Sequence, residues 1–110
     1  MDNVTHITPD FAVSPQITPE HLALLQAAGF TTVICNRPDH EKPGQPTFDE
    51  IRVAAEAVGL EAHHIPIKPG QATGDDVDAF DTAVTTAKGK VLAYCRSGGR
   101  AQSLFAATRG

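Results

Sequence analysis

The 110-residue chain has only two cysteines, Cys35 and Cys95. Two thiols with no secretory leader do not make the disulfide framework of a small extracellular domain. The opening Met1-Asp2-Asn3-Val4-Thr5-His6 lacks the basic and apolar regions of such a leader. No run of about eighteen apolar residues occurs, which excludes a membrane-spanning helix. Positive charge is not in excess either: nine Lys and Arg stand against thirteen Asp and Glu, for a net charge of −4, which argues against general affinity for nucleic acid or acidic membranes. Internal repeats, low-complexity tracts and linkers are also missing. A hydrophobic content of 41% can build one core. The expectation is therefore a soluble, cytoplasmic chain forming a single domain over 1–110.

What is present alternates between strand and helix signals. Thr5 to Thr8 and Phe11 to Ser14 read as an opening hairpin or edge strands, broken by Pro9 and Pro15. Thr18 reads as an N-cap with Pro19 at the first helical position and Ile17 and Leu22 as a hydrophobic staple. Leu22, Leu25 and Ala28 line one face of that helix, and Gly29 stops it. Phe30 to Asn36 is a β-branched, apolar run suited to a central strand. After a proline-rich loop, Thr47-Phe48-Asp49-Glu50 forms a capping box opening a helix through Val58, with Ile51, Ala54, Ala55 and Val58 inward. Leu60 to Ile67 reads as another strand. Thr73 caps a third helix, with Asp75 and Asp76 at its positive end, Val77, Phe80, Val84 and Ala87 on one face, and Gly89 at its end. Val91 to Tyr94 is a short buried strand, followed by a helix starting at Gly99 or Arg100. Strands separated by helices imply right-handed crossovers and a mostly parallel sheet with helices on both faces, a three-layer α/β fold.

In such sheets ligands sit beyond the C-terminal strand ends. That rule gathers Asn36 to Glu41, Lys68 to Thr73 and Cys95 to Arg100 on one rim. The segment Cys95-Arg96-Ser97-Gly98-Gly99-Arg100 joins a buried strand to a helix through a glycine-bearing turn. Backbone N–H groups and the helix dipole there converge near the cysteine sulfur, a setting that suits an anion and favours a thiolate. Cys95 is accordingly the candidate nucleophile. The N–H groups from Arg96 to Arg100 form the cradle, and Arg96 and Arg100 add forked donors to an oxyanion. Ser97 either bonds the sulfur or an oxyanion, or stabilises the turn. Arg37 reaches the anion or pairs with Asp39 or Glu41, pairing being favoured, and Lys68 adds positive potential at the rim. Cys35 reads as a packed thiol, with a resolving role for an oxidised Cys95 as the sharper alternative. His63 and His64 point to opposite faces of a strand, so neither metal nor cofactor is expected.

Phe11-Ala12-Val13-Ser14-Pro15-Gln16-Ile17, Asn36-Arg37-Pro38-Asp39-His40-Glu41, Ile65-Pro66-Ile67 and the cysteine loop resemble the beta-lactamase hydrolase-like (BLH) phosphatase-like family over nearly the whole chain. The resemblance implies a fold like that of tyrosine and dual-specificity phosphatases. It also implies proteins that stand alone or precede a metallo-beta-lactamase-type domain with persulfide dioxygenase character, making such a dioxygenase a partner to expect.

Two chemistries use almost the same loop. In phosphatases of this fold the thiolate attacks phosphorus, an arginine six positions on clamps the oxygens, and an aspartic acid protonates the leaving group. Rhodanese-type sulfurtransferases carry a sulfane sulfur as a persulfide and space their arginine five positions on. Arg100 lies five after Cys95, the preceding Tyr94 is of the rhodanese type, and Lys68-Pro69-Gly70 stands where the phosphatase acid belongs. Asp39 is the remaining acid candidate, although an Asx turn would use it equally well; Asp75 and Asp76 are explained by their helix. The sequence thus favours sulfane-sulfur transfer through a Cys95 persulfide. Hydrolysis of phosphate monoesters through a Cys95 phosphocysteine is the alternative, and a non-catalytic anion- or partner-binding module the third reading. Each would take a small anionic donor such as thiosulfate, a persulfide or a phosphoester.

Overall fold

A computed structural model describes residues 3–109. Five strands, β1 (Thr5–Thr8), β2 (Phe11–Ser14), β3 (Phe30–Cys35), β4 (Glu61–His64) and β5 (Lys90–Tyr94), form one sheet in the order β1-β2-β5-β3-β4. β1 runs antiparallel to β2 at the edge, and the other four are parallel. Helices α1 (His21–Ala27), α2 (Phe48–Ala57), α3 (Gly74–Thr85) and α4 (Gly99–Arg109) complete the fold. The three-layer α/β architecture expected from the alternating signals is present. Among the described residues no helix is long and apolar enough to cross a membrane.

Strand alternation sorts the core into two halves. Ala12, Val33, Cys35, Leu92 and Tyr94 face Leu22 and Leu25 of α1 and Ile51 and Ala55 of α2. Phe11, Val13, Ile34, Val91 and Ala93 face Phe80 of α3 and Leu104 and Phe105 of α4. Both faces of the inner strands are covered, so β2, β3 and β5 are largely buried and mostly apolar, whereas the edge strand β4 is polar and only partly buried. Connections β2-α1-β3 and β3-α2-β4 progress in one direction across the sheet, whereas β4-α3-β5 returns. Right-handed crossovers therefore put α3 on the opposite face. On that side Phe105 stacks on Phe11 at 3.9 Å between centroids, with Phe80 edge-on at 5.9 Å.

The capping box of Thr47 with Glu50 forms as the sequence predicts, and Thr73, read as a cap, also forms a capping box with Asp76. Three boundaries differ. α1 starts at His21, with Glu20 in the capping position, because the Thr18 N–H donates to His21 Nδ1 at 3.0 Å and the chain makes a single turn first; Ala28, expected on the inner face, is its exposed C-cap. β4 is confined to Glu61–His64, since Pro66 has no N–H to continue the ladder, although Ile65 N and Ile67 N still donate to Cys35 O and Asn36 O. α3 ends at Thr85 rather than at Gly89; the Thr85 and Thr86 hydroxyls bond back to Asp81 O and Thr82 O, competing with the next turn.

Candidate active site

β5 lies between β2 and β3, so its C-terminal end is flanked by two strand exits. Cys95 N donates to Ser14 O at 3.4 Å, and Asn36 N donates to Tyr94 O at 2.8 Å. The residue after β5 is thereby held between the exits of β2 and β3, and Cys95 is fully buried. The chain then turns tightly enough for Gly98 N to donate to Cys95 Sγ at 3.1 Å. Gly98 adopts φ +96°, a left-handed conformation that a side chain resists. A Cβ there would also stand 3.5 Å from the carbonyl of Ser14. α4 begins one residue later.

The sequence-derived cradle is only partly aimed at the sulfur. Gly98 N points to it, but Gly99 N donates to Ser97 Oγ at 3.4 Å, so Ser97 stabilises the turn. Arg96 is exposed and enters no ion pair among the described residues. Lys68 is likewise exposed and without an ion pair there. Arg100 is the cation held at the site, with its side chain only 11% exposed. The Glu41 hydrogen bonds chiefly raise its proton affinity above the ordinary arginine value, with Cys95 a lesser cause.

Glu41 organises the rest of the rim. It accepts from Arg100 Nη1 at 2.7 Å and Nη2 at 2.9 Å, and from Arg37 Nε at 2.8 Å. Arg37, buried, also donates to Gln16 Oε1 at 3.2 Å. The expected pairing of Arg37 with a neighbouring carboxylate is therefore what forms. Hydrogen bonds from Arg100 and then Arg37 outweigh desolvation and hold the Glu41 carboxyl down at about 2. Arg100 Nη1 further donates to Ile67 O at 2.9 Å. Asn36 fixes that segment, its Nδ2 donating to Ile65 O at 3.0 Å and its carbonyl accepting from Ile67 N. Gln16, Arg37 with Glu41, Ile67 and Arg100 follow β2, β3, β4 and β5 respectively, so one polar chain ties all four parallel strand exits together.

Asp39, the acid candidate, accepts from Phe48 N at 2.8 Å. It serves the first turn of α2 rather than an Asx turn within its own loop, and Asp76 is engaged in its capping box. His64 lies on the outside of the same loop, stacked on Phe48 at 4.6 Å with Nε2 3.0 Å from Arg37 O. Cys35 is buried and donates to Arg37 O at 3.3 Å; burial pushes its thiol up. Its neighbour Tyr94 is fully buried, and the hydroxyl lies beside that thiol without a hydrogen bond of ordinary geometry. Cys35 packs with the α1/α2 half of the core. Glu41 as the partner of Arg100, and Gln16 and Asn36 as supports, were not singled out by sequence; the only local sign was an acid four residues after Arg37.

The profile of the family described as beta-lactamase hydrolase-like protein, phosphatase-like domain, matches residues 3–110. A beta-lactamase hydrolase-like protein of Xylella fastidiosa (strain Temecula1 / ATCC 700964) is 34% identical over 103 residues, covering 94% of this chain and 24% of that protein. The chain thus spans about a quarter of the length of this curated relative. Among solved structures, a protein from Neisseria meningitidis Z2491 described as a candidate phosphatase superposes with a TM-score of 0.87 at 34% identity, over 94% of this chain and 74% of that one. The fold alone is shared with P. aeruginosa TpbA in complex with pTyr, with a TM-score of 0.66 at 20% identity over 96% and 60% of the two chains.

Proposed function

We propose, from the premise that this chain belongs to the beta-lactamase hydrolase-like phosphatase-like family, that it is a cysteine-dependent phosphatase-like hydrolase acting on small phosphate monoesters. The observation that carries the reading is the 3.1 Å bond from Gly98 N to Cys95 Sγ inside a loop that opens a helix, with Arg100 beside it. Such a loop places a nucleophile and oxyanion donors at one point. Support for an anionic, phosphorylated substrate also comes from a fold neighbour solved with pTyr. Cys95 Sγ attacks phosphorus; an S–P bond forms as the ester P–O bond breaks, and the leaving oxygen keeps the electron pair and takes a proton from solvent. Water then attacks phosphorus, the S–P bond breaks, and inorganic phosphate and a proton leave with the thiolate restored. Arg100 and the Gly98 turn hold the oxygens throughout.

The sequence-favoured alternative, sulfane-sulfur transfer, keeps one specific support. Asp39 is bonded to the α2 backbone and Glu41 is shared by two arginines, so neither is free to protonate a leaving group. Transfer from thiosulfate needs no such acid: its S–S bond breaks, sulfite leaves, and Cys95 becomes a persulfide that passes its outer sulfur to a thiol. A persulfide dioxygenase partner belongs to this reading alone.

The test is p-nitrophenyl phosphate turnover and intact mass after thiosulfate treatment, on one preparation. Phosphate release that disappears in Cys95→Ser, with no stable one-sulfur gain, is the expected result. A one-sulfur adduct on Cys95 that passes to glutathione, with no phosphate release, would replace hydrolysis with sulfur transfer. Full turnover by Cys95→Ser would refute both.

A further inference from the structure

A guanidinium has five N–H donors in a fixed plane. In Arg100 three of them are spent: Nη1 on Glu41 Oε2 and Ile67 O, and Nη2 on Glu41 Oε1. The pair left without an oxygen partner among the described residues is Nε–H and the second Nη2–H. These lie along one edge, the edge that matches two oxygens of a tetrahedral or planar oxyanion. Glu41 grips the far end of the guanidinium, and its own carboxylate is fixed from the other side by Arg37, itself fixed by Gln16.

We propose that Glu41 is a positioning residue that holds Arg100 so that its Nε–Nη2 edge faces an oxyanion above Cys95. The inference rests on reading Cys95 and Arg100 as an anion site, and it gives a rim carboxylate, ordinarily a repulsive neighbour for an anion, a favourable role. Two effects of removing Glu41 oppose one another. Loss of a negative charge near the site would by itself draw anions more strongly. Loss of the clamp frees a long side chain, misaligns its donors and returns its conformational entropy as a cost of binding. Glu41 grips with both oxygens and is backed by a buried arginine, so the loss of alignment outweighs the relief of repulsion.

Because the two effects differ in sign, binding of inorganic phosphate decides between them without any turnover. Phosphate would be titrated into the wild type, Glu41→Gln, Glu41→Ala and Arg100→Ala at low ionic strength, following the arginine Nε–H resonances by 15N-labelled NMR. In the wild type the Arg100 Nε–H resonance, identified by its loss in Arg100→Ala, should move on titration. Both Glu41 variants should bind phosphate roughly tenfold to a hundredfold more weakly, with that movement lost. Equal or tighter binding by the Glu41 variants would overturn the proposal and make Glu41 a mere counter-charge. Phosphate binding by wild type that persists unchanged in Arg100→Ala would instead overturn the anion-site reading beneath it. Should Glu41→Ala lose its fold by circular dichroism, the near-isosteric Glu41→Gln carries the decision.

Discussion

Replacing Glu41 by Gln should destabilise the protein by an amount that depends on pH in a defined way. The Glu41 carboxyl titrates at about 2 in the folded chain against an ordinary 4.5, chiefly because Arg100 and Arg37 hydrogen-bond its ionised form. At about 1.4 kcal/mol per pH unit, the difference corresponds to at most roughly 3.5 kcal/mol of native stability. The side chain is 24% exposed, and solvent screening of such a pair brings the expectation to about 1–2 kcal/mol. A depressed carboxyl gives stability that is complete above pH 4.5 and is lost as pH falls toward 2, because the unfolded chain binds the extra proton in that window. Urea unfolding followed by circular dichroism at several pH values from 7 to 3, in low salt, measures the gap between the two proteins. The gap should be constant from pH 7 to 5 and shrink steadily below 4.5. A gap that keeps its pH 7 value at pH 3, or a variant more stable than wild type at pH 7, would refute the view that the ionised carboxylate is what ties the arginines together.

Gly98→Ala forces a side chain into a left-handed turn and should cost about 1–2 kcal/mol; if the turn opens to relieve this, phosphate release falls with it, and an unchanged melting temperature and rate would contradict the assigned conformation. Tyr94→Phe removes a buried hydroxyl that lacks a proper partner and should be neutral or stabilising by up to about 1 kcal/mol in chemical denaturation; a loss of more than about 1 kcal/mol would mean that the contact with the Cys35 thiol is a true bond. Asp39→Ala should cost about 1 kcal/mol through the first turn of α2, while the ratio of rates for p-nitrophenyl phosphate and an alkyl phosphate stays as in the wild type. A selective fall of roughly 10²-fold or more for the alkyl ester would restore Asp39 as the acid.

The parts of the fold that were readable in the sequence depend on neighbours. Thr47 and Glu50 act three residues apart, so their capping box can be recognised without tertiary knowledge, as can Thr73 as a cap, although its box with Asp76 emerges only in the structure. The two-sided burial of Thr32 to Cys35 and Val91 to Tyr94 shows as uninterrupted apolar and β-branched runs. The start of α1 was misplaced because a histidine ring, not a carboxyl or amide, satisfies the Thr18 N–H. The overlong β4 followed from Ile65 and Ile67, which are buried like strand residues but straddle a proline. In the site, Cys95 and its glycine turn are contiguous and legible. The hold on Arg100 is not, since Glu41 lies 59 residues away in an irregular loop with no periodicity to betray where its side chain goes. The loop spacing also drew the sequence reading toward sulfur chemistry, whereas family and fold favour a phosphatase-like hydrolase.

Tyr94 has a practical consequence that its packing alone does not suggest. The chain contains no tryptophan and this single tyrosine, so the phenol's ultraviolet emission comes from one buried ring. That ring belongs to the residue before Cys95, lies beside a second thiol and is sealed from water. Intrinsic fluorescence is therefore a label-free optical reporter of one place in the molecule, where the sheet delivers Cys95, the proposed nucleophile, and stopped-flow mixing with phosphate or an oxidant can follow events there without modifying the protein.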